Sequence, residues 1–91
     1  MDCIFVVEAI EYECGWGHRP DGFFGFADES MADTWIAEKY KSRTGPTPYI
    51  YTNYEKIGFK PADSFFCQRI KLNGYVYFDR LHDLTKITFP T

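Results

Sequence analysis

The sequence predicts an α+β fold in which an antiparallel sheet of about five strands carries one helix on one face, in the order β-β-α-β-β-β. Three observations predict it: short apolar or alternating runs between Gly- and Pro-rich segments, one stretch of helical periodicity at about residues 30–43, and a single Asn-Gly dipeptide. Ninety-one residues suffice for one domain and are too few for two. We therefore expect residues 1–91 to form a single compact domain.

The first predicted strand covers Cys3–Tyr12, which begins as a continuous apolar run and then alternates. Because it is apolar on both sides, we expect it in the middle of the sheet. The next segment, Cys14–Gly22, holds three Gly and one Pro, a composition typical of a loop. Phe23–Ala27 is then expected to be a short second strand, antiparallel to the first.

The predicted helix at about residues 30–43 begins with Ser30 as its N-cap and carries Asp33 three residues later. An apolar stripe at helical spacing is expected to face the sheet: Met31, Ala32, Trp35, Ile36 and Tyr40. Gly45, Pro46 and Pro48 are expected to end the helix.

The chain after the helix returns to strand patterns. Strands are expected at Tyr49–Ile57, Phe65–Leu72, Tyr75–Arg80 and Lys86–Phe89. Asn73-Gly74 lies between the second and third of these, and Asn-Gly favours a type I′ hairpin turn because both residues tolerate positive φ. Turns are expected at residues 60–63 and 81–84.

Charge is divided unevenly along the chain. The first 38 residues contain nine carboxylates and one base, and the remaining 53 contain four carboxylates and nine bases, so charges of −8 and +5 sum to the net −3. A concentrated negative face attracts basic surfaces. This pattern, with the Trp and Arg of the predicted loop, favours protein binding.

The sequence therefore predicts a small, acidic, non-enzymatic protein-binding module, an inhibitor or modulator that docks on a basic site of a partner protein. The candidate partner-binding residues are Glu11, Glu13, Trp16, His18, Arg19, Asp21, Asp28 and Glu29. In size, acidity and aromatic content the chain resembles phage-encoded or mobile-element accessory proteins that block host enzymes.

Two alternatives remain open. A basic, Tyr-rich sheet face could bind single-stranded nucleic acid, although the net charge argues against it; its candidates are Arg69, Lys71, Arg80, Tyr49 and Tyr51. A small metal-binding or enzymatic domain would centre on Cys14, His18 and His82, which lack the paired spacing of zinc sites. We predict no catalytic residue, metal or cofactor.

Three cysteines without close pairing favour a reducing compartment, and we expect the cytoplasm. No run approaches the roughly 18–20 apolar residues of a membrane span, so no membrane association is expected. The opposite charges of the two halves also permit self-association as a homodimer.

Overall fold

The computed structural model describes residues 2–13, 15, 17–41 and 50–85. Within these residues the chain forms one four-stranded antiparallel sheet, and its strands are β1 (Asp2–Glu13), β2 (Gly17–Phe26), β3 (Ile50–Ala62) and β4 (Val76–Phe78). The strand order is β3-β1-β2-β4. The other elements are helix α1 (Glu29–Lys41), helix α2 (Ser64–Asn73) and a 3₁₀ helix (Leu81–Thr85). The predicted α+β class is confirmed.

Strand β1 lies in the middle of the sheet, as its two apolar sides predict. Successive side chains of a strand point to opposite faces. Ile4 and Val6 accordingly belong to one buried cluster, together with Phe66 and Ile70 of α2. The next residues along β1 belong to a second cluster, which contains Phe5, Val7, Phe26 and Ala32 of α1. The two helices therefore cover opposite faces of the sheet, whereas the sequence predicts one helix on one face.

The predicted loop at Cys14–Gly22 is wrong over most of its length. Strand β2 begins at Gly17 and continues through Pro20 and Gly22. Within the described residues β4 pairs only with 23–25, so this part of β2 is at the edge of the described sheet, where proline is tolerated. Gly22 has a φ of 96°, and a Cβ there would collide with the ring of Tyr77. Cys14 and Trp16 lie outside the described residues.

The segment predicted as the strand Phe65–Leu72 is helix α2, so the expected hairpin does not form. Phe66 and Ile70 are four residues apart, and the helix places both in the core. Gly74 has φ 87° and ψ −21°, and its N–H donates to the carbonyl oxygen of Ile70 at 2.7 Å. Asn73-Gly74 therefore ends a helix with the positive-φ glycine that helix C-termini favour.

The predicted turn at residues 60–63 is also wrong, because β3 continues through Pro61 to Ala62. Among the described strands, β3 is at the edge of the sheet along its whole length, which again accommodates proline. The predicted turn at 81–84 is a 3₁₀ helix. Tyr49 and the predicted strand Lys86–Phe89 lie outside the described residues.

Helix α1 is present where the periodicity predicts it, but its cap differs. The carboxylate Oδ1 of Asp28 accepts a hydrogen bond from the N–H of Met31 at 2.9 Å, so Asp28 caps the helix and Ser30 lies within its first turn. The expected apolar stripe packs in part: Ala32 is buried, and Trp35 and Ile36 are half-buried. Neither α1 nor α2, the two helices in the described part of the chain, is long and apolar enough to span a membrane.

Candidate functional site

Three strands extend beyond the two buried clusters and form one end of the sheet. We call this end the sheet extension and define it as Glu8–Glu13, Gly17–Asp21 and Ile50–Glu55. Ala9 is its only buried residue. Every other buried hydrophobic side chain among the described residues belongs to 2–7, 22–41 and 56–85, which we call the body. The molecule is correspondingly elongated, with a longest dimension of 51 Å against 26 and 19 Å.

Aromatic rings join the three strands of the sheet extension. Tyr12 lies opposite His18 on β2 and opposite Tyr51 on β3. The ring centroids of Tyr12 and His18 are 5.3 Å apart, and those of Tyr12 and Tyr51 are stacked at 5.5 Å. Since cross-strand aromatic pairs stabilise a sheet, these contacts compensate for the lack of a buried core at this end.

Glu11 and Glu13 share one face of β1, as the strand alternation predicts. Glu11 lies opposite Arg19, whose guanidinium approaches its carboxylate to 2.8 Å. Glu13 lies opposite Gly17 and Ile50, and within the described residues it has no salt-bridge partner. A cleft of about 190 Å³ on this surface is lined by Glu11, Glu13, Gly17, His18, Arg19 and Ile50. The structure thus brings together four of the predicted partner-binding residues.

The opposite face of the sheet extension is acidic as well. Glu8 lies directly opposite Glu55 on β3, a pairing of like charges that costs free energy in a sheet. Together with Asp21, the sheet extension holds five carboxylates and one basic side chain, a net charge of −4. The body holds eight carboxylates and seven basic side chains, a net charge of −1. Among the described residues, negative charge is therefore concentrated in the sheet extension.

Two other predicted carboxylates, Asp28 and Glu29, have structural partners in the body. Asp28 caps α1, and Glu29 and Asp33 each contact the ammonium of Lys56, at 2.9 and 3.0 Å. Hydrogen bonds with Glu29 first, and with Asp33 next, raise the pKa of Lys56 above its usual value. Asp28 and Glu29 lie at the start of α1 and are not among the residues that line the acidic cleft.

The residues proposed for nucleic-acid binding do not form the expected basic sheet face, because two of them lie on α2. Arg69 and Lys71 are two positions apart in this helix and line different clefts. Arg80 precedes the 3₁₀ helix, where its N–H donates to Asp83 at 3.2 Å. Tyr51 is part of the ring contacts of the sheet extension.

The two histidines of the metal-binding alternative lie at opposite ends of β3. His18 and Tyr51 flank Tyr12, while the 3₁₀ helix that holds His82 contacts the far end of β3 through Asp63 and Leu84. About eleven strand residues separate these ends, or about 35 Å. Among the residues that the structure describes, no group of three or more His, Cys, Asp or Glu could hold a metal ion.

Ile50 and Glu55 belong to the acidic end but are absent from the sequence-based candidates. Neither shows a local signal in the sequence, because each joins the site only through the register of β3 against β1.

Comparison with known proteins identifies no relative of this chain. No protein-family model, no curated protein and no solved structure matches it.

Proposed function

We propose that this protein is a non-enzymatic protein-binding module, an inhibitor or modulator, whose sheet extension docks on a basic surface of another protein. The observation that carries the proposal is the cleft that Glu11, Glu13, His18 and Arg19 line together with Ile50. Ile50 is 50 % exposed, so an apolar contact is available within a charged rim, which is the arrangement typical of protein interfaces.

Glu13 is the side chain that we assign to the partner's basic group. Glu11 is already paired with Arg19, so its charge is partly compensated within the chain. Glu13 lies on the same face without such a pair in the described part of the structure, and can accept a Lys or Arg from outside. The net charge of −4 around it would steer a basic partner toward this end of the molecule.

We place this interaction in a reducing compartment such as the cytosol. Cys3 is an exposed thiol that forms no disulfide. An exposed thiol persists most readily where glutathione keeps cysteines reduced.

The test compares two charge reversals of equal size. The tagged protein, Glu13→Lys and Glu38→Lys are each used to capture partners from an extract of the native host, and the captured protein is then purified for binding measurements. Glu38 is an exposed carboxylate of α1 in the body, so it is the matched control. We expect Glu13→Lys to weaken binding about fivefold or more and to reduce its salt dependence, and Glu38→Lys to have little effect.

Equal losses in the two variants, or no loss in Glu13→Lys, would contradict the proposed site. Sedimentation of the protein alone provides the second measurement. If the protein alone sediments as a dimer and Glu13→Lys converts it to a monomer, the partner of this site is a second copy of this chain.

A further inference from the structure

A second cleft lies between α2 and β4, outside the sheet extension, and we call it the α2–β4 cleft. Its volume is about 470 Å³, and its lining residues are Phe65, Arg69, Asn73, Tyr75, Val76 and Tyr77. Clefts of this size are within the range of small-ligand sites, about 300–1,000 Å³. Three of its six lining residues are aromatic, and none is a carboxylate.

The aromatic side chains of the cleft are held in place yet accessible. Phe65, Tyr75 and Tyr77 are 43, 39 and 49 % exposed. The rings of Tyr75 and Tyr77 pack on Phe24, with centroids 5.9 and 5.2 Å away, and Tyr75 also packs on Trp35 at 5.9 Å. The hydroxyl of Tyr77 donates to Asp79 at 3.0 Å, which further fixes its ring.

Val76, between the two tyrosines, belongs to the cluster under α2, so the rings of Tyr75 and Tyr77 lie toward the α1 face and border the cleft at the edge of β4. Phe65 is the ring beside Arg69. A planar ligand would therefore meet Phe65 in the cleft and ordered tyrosines at its border.

Arg69 supplies the positive charge of the cleft. Its guanidinium carbon lies 5.1 Å from the centroid of the Phe65 ring, four residues earlier in α2. No carboxylate within the described residues forms a salt bridge with Arg69, so its charge is available to an anion. Asn73, four residues later on the same side of the helix, adds an amide that can both donate and accept a hydrogen bond.

We propose that the α2–β4 cleft binds a nucleotide, with its planar base against the aromatic rings and its phosphate at Arg69. Proteins recognise unpaired bases by stacking on aromatic rings and guanidinium planes and by hydrogen bonds to base edges. Arginine suits phosphate because its fork of N–H donors matches the phosphate oxygens. The net charge of −3 does not oppose this site: the sheet extension carries −4 and the body, which contains the cleft, only −1, while Arg43 and Lys86, outside the described residues, add +2.

The test measures fluorescence anisotropy of a labelled ten-nucleotide thymidine strand with the full chain. Arg69→Ala is compared with Lys71→Ala, a matched control because Lys71 is on the same helix and lines a different cleft with Cys3 and Cys67. We expect Arg69→Ala to weaken binding about tenfold or more, and Lys71→Ala to change it less than twofold. Arg69→Ala should also make the slope of log K against log salt shallower by about 0.7, the loss of one phosphate contact to a single strand.

A second variant removes the ring and keeps the charge. Because the Phe65 side chain is exposed, Phe65→Ala should keep the fold, and an unchanged melting temperature checks this. We expect this variant also to weaken binding of the strand about fivefold or more. Competition with uridine monophosphate distinguishes the two sources of a nucleotide. If uridine monophosphate displaces the labelled strand at a concentration equal to that of the strand's nucleotides, the cleft is assigned to free nucleotides. If uridine monophosphate displaces the strand much more weakly, the cleft is assigned to a single strand.

Three results would overturn the proposal. The first is that neither the labelled strand nor uridine monophosphate binds at millimolar concentration. The second is that Arg69→Ala binds as tightly as the original protein. The third is that Arg69→Ala and Lys71→Ala lose affinity equally. None of these results affects the proposed role of the acidic cleft, because the two sites share no residue.

Discussion

Strands β1, β2 and β3 run through both the body and the sheet extension, but different interactions stabilise them in the two regions. In the body, both faces of β1 are covered, and Val6 and Val7 have no measurable exposure. A few residues further along, Glu11, Tyr12 and Glu13 are only half-buried.

The body is held by apolar burial, which is strong and is not screened by salt as ion pairs are. The sheet extension is joined to α1 through Tyr54, whose ring packs on Trp35 and whose N–H donates to the hydroxyl of Tyr40. Beyond Tyr54 it depends on backbone pairing, ring contacts and one exposed salt bridge, so these side chains are freer to serve binding.

This contrast shows that the buried core and the excess of negative charge lie in different parts of the same sheet. Charge repulsion between Glu8 and Glu55 would be hard to tolerate in a marginal sheet end, yet the body anchors all three strands. A rigid, two-sided core can therefore support an acidic end that contributes little stability of its own. Such an arrangement is common where function resides at the edge of a scaffold.

The largest effect is expected from a substitution in the body. Phe26 is 1 % exposed, and its ring packs against Trp35 with a centroid distance of 5.3 Å. Phe26→Ala leaves a cavity between β2 and α1, so we expect the free energy of unfolding to fall by about 3–5 kcal/mol. Urea denaturation followed by circular dichroism measures this. A loss below about 1 kcal/mol would show that this part of the core repacks freely.

A smaller effect is expected at the ring contacts of the sheet extension. Tyr12→Ala removes the contacts with His18 and Tyr51 but leaves no enclosed cavity, so we expect a loss of about 1 kcal/mol. Amide hydrogen exchange should speed up at 9–13, 17–21 and 50–54 while remaining slow in the body. Should Tyr12→Ala destabilise the protein as much as Phe26→Ala, the division into body and extension is wrong.

The smallest effect concerns pH and the salt bridges of the body. Glu29 and Asp33 raise the pKa of Lys56, so the folded state binds its proton more tightly than the unfolded chain does. The stabilisation is complete below the unfolded pKa of about 10.4 and is lost as pH rises through the folded pKa. Glu29→Gln should lower the pKa of Lys56, measured by NMR titration of its side chain. An unchanged pKa would show that this bridge is absent in solution.

The parts that could be predicted are those whose signal is local. Strand β1 could be predicted because it is apolar on both sides, and α1 because its apolar residues recur at helical spacing. Alternation along β1 likewise placed Glu11 and Glu13 on one face. The cap of α1 was missed by two residues because Asp28 and Ser30 are both good N-caps, and only the hydrogen bond to Met31 distinguishes them.

The sequence by itself determined the fold class, the middle strand, the first helix and the need for positive φ at Gly74, since each follows from residue type or short-range periodicity. Only the tertiary structure decided that 64–73 is a helix. Phe66 and Ile70 would lie on the same side of a strand as well as of a helix, so their spacing does not distinguish the two. A helix is favoured because Ile4 and Val6, on one face of β1, must be covered by packed side chains. The tertiary structure also decided which charges meet. Arg19 reaches Glu11, Glu8 faces Glu55, and Arg69 joins Tyr75 and Tyr77 through strand register and helix packing, which depend on residues distant in sequence.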